Sequence, residues 1–192
     1  ERLADCFQLL TGGSRLAVTR QQTLRATLDW GYALLSAPEQ VLLHRLAVFA
    51  DGWELTAAET VCAGGALAPT DILDLVGHLV DKSLVQVETS ASGTPRYRLL
   101  ETVRQYAQER LVAAGEAVAL RDRHLAWAVT VGEALHQADR RTGIQPAVLA
   151  RFVAEEDNLR AALAWSLERA PETALQLAGG LWVYWILRTV LG

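Results

Sequence analysis

The residues of this chain that could do chemistry are few, and their spacing commits none of them to a reaction. Lys82-Ser83 is the single Lys-Ser pair. A phosphate-binding loop of the G-x-x-x-x-G-K-[ST] type needs glycine amides to cradle phosphate oxygens between a strand and a helix. Here Asp81 and Val76 stand at the two glycine positions, and the segment reads as helix running into strand, the reverse of the required order. Leu46-Ala47-Val48-Phe49-Ala50-Asp51 has the look of an apolar strand ending in a metal-binding aspartate, but with no phosphate loop it reads as a helix end entering a turn. His44, His78, His124 and His136 place no two ligands on one helical turn, whereas metal sites need several convergent ligands. His124 falls on the Leu120, Trp127, Val131 stripe and is expected to be a core histidine with a satisfied ring nitrogen. Glu156 and Arg160 read as an i, i+4 helix pair, not as catalytic groups. Cys6 and Cys62 lack metal or redox spacing and fit a reducing compartment. No catalytic residue and no metal site is expected, and no enzyme activity in this chain.

The elements that would carry functional groups are far more legible. Thr70 to Lys82 recurs at helical spacing through Ile72, Leu73, Leu75, Val76, Leu79 and Val80, with Thr70 as the expected N-cap. The period then switches to two. Leu84, Val85 and Val87 form a β-rich run, Ser90 to Pro95 supplies turn residues, and Tyr97, Leu99 and Leu100 make a return strand. From Glu101 to Leu111 the helical period resumes, with Val103, Tyr106, Ala107 and Leu111 on one stripe. Helix, strand, turn, strand, helix in this order is the pattern of a winged helix.

The rest of the 192 residues is helical, and the chain carries a net charge of -4. Residues 1–20 read as the tail of an upstream module, ending in the loop Thr11-Gly12-Gly13-Ser14. The absence of methionine and an opening inside an apparent helix, ERLADCFQLL, fit a piece of a longer polypeptide. Residues 21–114 form the winged portion, with helices near 22–35, 37–50 and 56–63; Ser36 with Glu39 and Thr56 with Glu59 match the capping box. Gly115 stops the last winged helix. Residues 115–192 then read as helices near 116–138, 145–169 and 171–190, packed antiparallel through short loops. Leu177 to Leu187 is strongly apolar but well short of the roughly twenty residues a bilayer requires. The expected class is mainly α: a winged-helix domain with a small β-hairpin, followed by an antiparallel, TPR-like helical segment in a cytoplasmic protein.

Four stretches in this order, RQQTLRATLDWGYALLS, LHRLAVFADGWELTAAETVC, LVDKSLVQVE with PRYRLLETVRQYAQERL, and EEDNLRAALAW, carry a resemblance that covers essentially the whole chain. Together they resemble the region downstream of the nucleotide-binding domain in bacterial STAND-type signalling ATPases, more narrowly the large regulators bearing LuxR-type DNA-binding or adenylate-cyclase domains. The resemblance implies a winged helix that packs on bound ADP and restrains activation, followed by the start of a tetratricopeptide-like sensor array. It implies ATP or ADP and Mg for the parent protein and none in this segment. Its partners would be the upstream nucleotide-binding domain and the downstream repeats of the same chain, with DNA contacted through other domains. The ADP-sensing Met-His-Asp type motif of such proteins matches Leu99-Leu100-Glu101 here. Glu101 can replace the aspartate as a helix-start anion, but Leu100 cannot donate a hydrogen bond to phosphate.

The alternative is a winged-helix DNA-binding domain of a transcription factor. A groove-reading helix must offer cations to phosphates and donors to bases. The face opposite the apolar stripe here is Asp71, Asp74, Gly77, His78 and Asp81, and only Arg96 and Arg98 flank the turn. On the last helix Leu181, Trp182, Trp185 and Ile186 form an apolar surface expected to serve as an interface to the next helical unit, or for self-association.

Overall fold

The computed structural model describes residues 14–89, 93–142 and 145–191, so the loop expected at Thr11-Gly12-Gly13 and the Ser90-Ala91-Ser92 tip of the hairpin lie outside the described residues. Helix α1 runs over Ser14–Ala33 and so begins inside the segment expected to be a connection; α2 follows at Ala37–Leu46. Ser36 precedes α2 in extended conformation, and its backbone N–H donates to Glu39 Oε2 at 2.7 Å. That is the Glu half of the expected capping box. The other Glu39 oxygen accepts Lys82 Nζ at 2.5 Å, so the same carboxylate ties the start of α2 to the far side of the winged unit.

The second expected capping box does not form. A two-residue strand, β1 (Gly52–Trp53), leads directly into α3 (Leu55–Cys62), and the carbonyl of Glu54 takes the first free amides, those of Ala57 and Ala58. Thr56 is already inside the helix. A 3-10 turn at Pro69–Asp71 precedes α4 (Ile72–Asp81), so Thr70 is not the N-cap either. Asp71 holds that position and accepts the Ala68 N–H at 3.3 Å. Ile72, Val76 and Leu79 turn the apolar face of α4 into the core. Ser83 then closes the helix at φ +58, with Leu84 N–H reaching back to Leu79 O at 2.9 Å. Glycine usually occupies this left-handed position.

Strands β2 (Val85–Thr89) and β3 (Pro95–Leu99) pair antiparallel with Val87 opposite Tyr97, and β1 adds to the other edge of β3 with Gly52 opposite Arg98. The expected hairpin is thus a three-stranded sheet in the order β1-β3-β2. Gly52 is needed there because a Cβ would stand 2.9 Å from both Arg96 Nε and the Tyr97 carbonyl. Helix α5 (Glu101–Ala113) ends at Gly115, whose φ of +73 turns the chain at once into α6 (Ala117–Thr142). Helices α7 (Pro146–Arg169) and α8 (Pro171–Leu191) complete the fold, each opening on a proline suited to a first turn.

One apolar core runs across the Gly115 turn. Phe49 stacks on Trp53 at 5.5 Å and meets the rings of His124 and Trp127 edge-on at 5.4 and 5.6 Å. A polar clamp spans the same turn. Arg45, almost fully buried, binds Glu116 through Nε (2.8 Å) and Nη2 (2.7 Å), and caps the end of α3 through Cys62 O and Gly64 O at 2.8 and 2.7 Å. On α8, Leu181 is fully buried and Trp185 packs half-buried against the core, which leaves Trp182 and Ile186 as the open part of the expected apolar face, at 54% and 51% exposure. Among the described residues no helix is long and apolar enough to cross a membrane.

Candidate functional site

The face that a winged helix would turn toward a partner is built by α4 and the β2–β3 hairpin. With Ile72, Val76 and Leu79 inward, α4 exposes Asp71, Leu73, Asp74, Gly77, His78 and Asp81. Leu73 is 52% exposed in the first turn of α4, between Asp71 and Asp74 in sequence, with Asp81 at the far end of the helix. The one lysine nearby, Lys82, is held by Glu39. The two arginines that flank the hairpin turn in sequence are both engaged within the fold. Arg98 pairs with Glu88 at 2.9 Å and donates Nε to Gln86 at 3.2 Å across the hairpin. Arg96 turns inward.

The inward path of Arg96 leads to a buried polar junction that the sequence did not reveal. Its Nη1 binds Glu155 Oε1 on α7 at 2.6 Å, and its Nη2 donates to Gly52 O at 2.7 Å and to Ala154 O. Asn158, fully buried one helical turn on, accepts the Ala50 N–H at 2.9 Å and donates to Gly52 O (2.9 Å) and Glu155 Oε2 (2.8 Å). Both acceptor and donor positions of its amide are therefore used. The stretch EEDNLRAALAW, singled out in the sequence, supplies Glu155 and Asn158. The one available signal was polar residues at helical spacing on an otherwise apolar face.

The position matched to a nucleotide-sensing motif lies at the start of α5. Leu99 is buried at the end of β3, Leu100 is 45% exposed, and Glu101 opens the helix. Burial raises the Glu101 pKa, but hydrogen bonds from Arg104 and Gln105 outweigh it and hold the carboxyl below its usual range. Arg104 Nε and Nη2 both reach it at 2.8 Å. Asp51, Arg98, Leu100 and Arg104 surround the same point in a shallow cleft of about 290 Å³. The carboxylate is thus satisfied by its own helix. Among the described residues no group of three or more His, Cys, Asp or Glu side chains could hold a metal ion, and Cys62 is buried with its thiol pushed up to about 12 by desolvation.

The element order of this unit, helix–strand–helix–helix–hairpin with a closing helix, has a direct counterpart. Residues 35–112 match the winged helix-turn-helix domain family. This segment is a winged helix-turn-helix domain. Over 98% of its length the chain is 48% identical to the protein named "Putative HTH-type transcriptional regulator Rv0890c" of Mycobacterium tuberculosis, and equally to "Putative HTH-type transcriptional regulator Mb0914c" of Mycobacterium bovis. It spans 21% of the length of each of these relatives. An uncharacterized Mycobacterium tuberculosis protein, Rv0894, is 47% identical over 64% of the chain, which covers 31% of that protein. No solved structure matches the chain with significance. Of the two functional readings of the sequence, these matches sit closer to a DNA-binding winged helix; they do not speak to nucleotide binding or to LuxR-type and TPR-like neighbours.

Proposed function

We propose that this chain is the regulatory winged helix-turn-helix segment of a cytoplasmic, multidomain transcriptional regulator, without catalysis of its own, and that its winged unit docks against protein instead of reading base edges. The family match and the names of the relatives support the first part. The observation that carries the second is electrostatic: α4 exposes Asp71, Leu73, Asp74 and Asp81, while Arg96, Arg98 and Lys82 are each paired with a carboxylate of the same chain. A polyanion approaching that face would meet three carboxylates and no uncommitted cation of the hairpin base. In the same proposal the docking partners are an upstream nucleotide-binding module, with its ATP or ADP and Mg, and downstream helical repeats of the same chain; the four-stretch sequence resemblance is the support for this part.

Direct DNA contact by the winged unit is the second reading, favoured by the HTH-type names of the relatives. Elution from heparin and from a nonspecific duplex separates the two. A docking module passes through both at low salt. Retention that falls steeply as salt rises, the signature of counterion release, would establish the DNA reading and overturn the first.

A further inference from the structure

Helix α1 is attached to the winged unit mainly by polar side chains and not by a packed apolar face. None of residues 23–33 is buried, and the largest of them, Trp30, is 68% exposed. Leu28 and Tyr32 among them pack half-buried against the core. A docked helix ordinarily turns a broad apolar stripe inward. Here Arg25 pairs with Glu109 of α5 at 2.7 Å, with both side chains about half exposed. Asp29 accepts the Tyr106 hydroxyl at 2.7 Å and Arg110 Nη2 at 2.6 Å. The Arg110 guanidinium lies over the rings of Tyr32 and Tyr106, 5.1 and 4.8 Å from their centroids. The C-terminal end of the helix is fixed by other means. Leu35 is buried just beyond it, and Gln40 Nε2 donates to the carbonyls of Tyr32 and Leu35 at 3.1 and 3.2 Å. One end is therefore anchored, while the stretch from Arg25 to Tyr32 is held on α5 by a polar latch.

The latch meets a titratable group. Tyr32 stacks on His44 of α2 with centroids 5.4 Å apart, and its hydroxyl lies 2.7 Å from His44 Nε2. The charges around this imidazole are Arg110 of α5, Arg45 of α2 and Glu116 beyond the Gly115 turn; Asp29 and Tyr106 join the set through Arg110. Burial and the two arginines oppose a positive charge there, and Glu116 offsets them in part, so His44 titrates below a free histidine. A protonated Nε2 can donate to the Tyr32 oxygen but no longer accept its hydroxyl, and the ring becomes a third cation beside Arg110 and Arg45. We propose that α1 is a releasable arm, docked on α5 through Asp29, Tyr32, Tyr106 and Arg110 and set free, without unfolding of the winged unit, when His44 takes up a proton. The released arm returns His44 to water and binds the proton more tightly than the docked arm does. Docking is therefore complete above the ordinary histidine value of about 6.5 and weakens as pH falls below it. The chain before α1 reaches the winged unit through this helix. Docking fixes the direction from which it arrives, and mild acid frees it.

The test is amide hydrogen exchange read by mass spectrometry on the 192-residue chain, with protection expressed relative to the unfolded chain so that the intrinsic pH dependence of exchange cancels. At about pH 7.5 the amides of residues 23–33 should be protected, but less than those of α2 and α5, because the arm opens by itself. At about pH 5.5 their protection should fall severalfold, with a ceiling of about tenfold if the released arm alone binds the proton. His44→Gln, which keeps a neutral polar group facing the Tyr32 hydroxyl, should abolish that fall. Asp29→Asn should lower the protection of the same amides by about fivefold or more at pH 7.5, as expected for the loss of one or two good hydrogen bonds, and leave α2 and α5 the better protected helices. Four results would each overturn the proposal: residues 23–33 protected as strongly as α2 and α5, no protection of them at pH 7.5, a response to pH that is absent in the parent chain or persists in His44→Gln, or undiminished protection in Asp29→Asn.

Discussion

Arg96→Met removes the guanidinium from a carboxylate that is almost wholly out of water. The side chains of Arg96 and Glu155 are 14% and 6% exposed, and their closest atoms are 2.6 Å apart. Breaking a buried pair by deleting one partner leaves an uncompensated charge and costs about 3–5 kcal/mol. Glu155→Met should cost a similar amount, since Arg96 would keep only the carbonyls of Gly52 and Ala154. The double replacement removes both charges. Well-packed apolar residues often substitute for such a pair without loss, so the remaining cost comes from the forfeited bonds to Gly52, Ala154 and Asn158, at about 1 kcal/mol each. The cycle should therefore show a coupling of about 2 kcal/mol or more, with each single variant melting about 10 °C lower for a chain of this size. Urea denaturation followed by tryptophan fluorescence and far-UV circular dichroism measures all four proteins. The reasoning fails if either single change costs less than about 1 kcal/mol, the value of an exposed pair, or if the two changes add.

Three further outcomes follow from the same geometry. Ser83→Gly should stabilise the chain by about 1 kcal/mol, because the left-handed φ of +58 strains any side chain with a Cβ; an unchanged or lower urea midpoint would refute it. His124 titrates at about 4 in the fold against about 6.5 unfolded, so the unfolded chain binds the extra proton. Stability should be full above that upper value and fall by about 3 kcal/mol as pH drops toward 4, beyond the smaller loss from His44, which burial also pushes down; the His124→Gln variant should lack this steeper slope. Trp182 and Ile186, both more than half exposed, should drive self-association at high concentration that a Trp182→Gln, Ile186→Gln double variant reduces in light scattering; a strictly monomeric parent would refute this.

The winged core was readable because its periods change where its elements change. Ile72, Val76 and Leu79 recur at helical spacing, Val85 and Val87 alternate, and Gly115 stands where a helix must stop. What stayed hidden depended on distant partners. Gly52–Trp53 is too short to show a period and becomes a strand only because β3 offers an edge. That strand also moved the start of α3 ahead of the Thr56 box. Arg96 and Arg98 look alike in sequence, yet one reaches Glu155 on a helix formed 59 residues later and the other stays in its hairpin. His124 was legible as a core residue, but not the missing partner of its Nε2, since satisfaction depends on how Asn158 is used. Leu181 shares the apolar stripe of α8 with Trp182, and only packing shows which of them faces inward.

The clamp between Arg45 and Glu116 bears on how portable the winged unit is. A chain cut at the Gly115 turn, where the sequence places the boundary, would keep the buried guanidinium and lose the acid that neutralises it. It would also lose the α7 partners of Arg96 and strip the ring of Phe49 of its contacts with His124 and Trp127. A segment so joined is not a cassette to be excised and moved between proteins. It inherits its neighbours with it, and in any recombination of such regulators the unit of exchange would have to be the winged domain together with its helices.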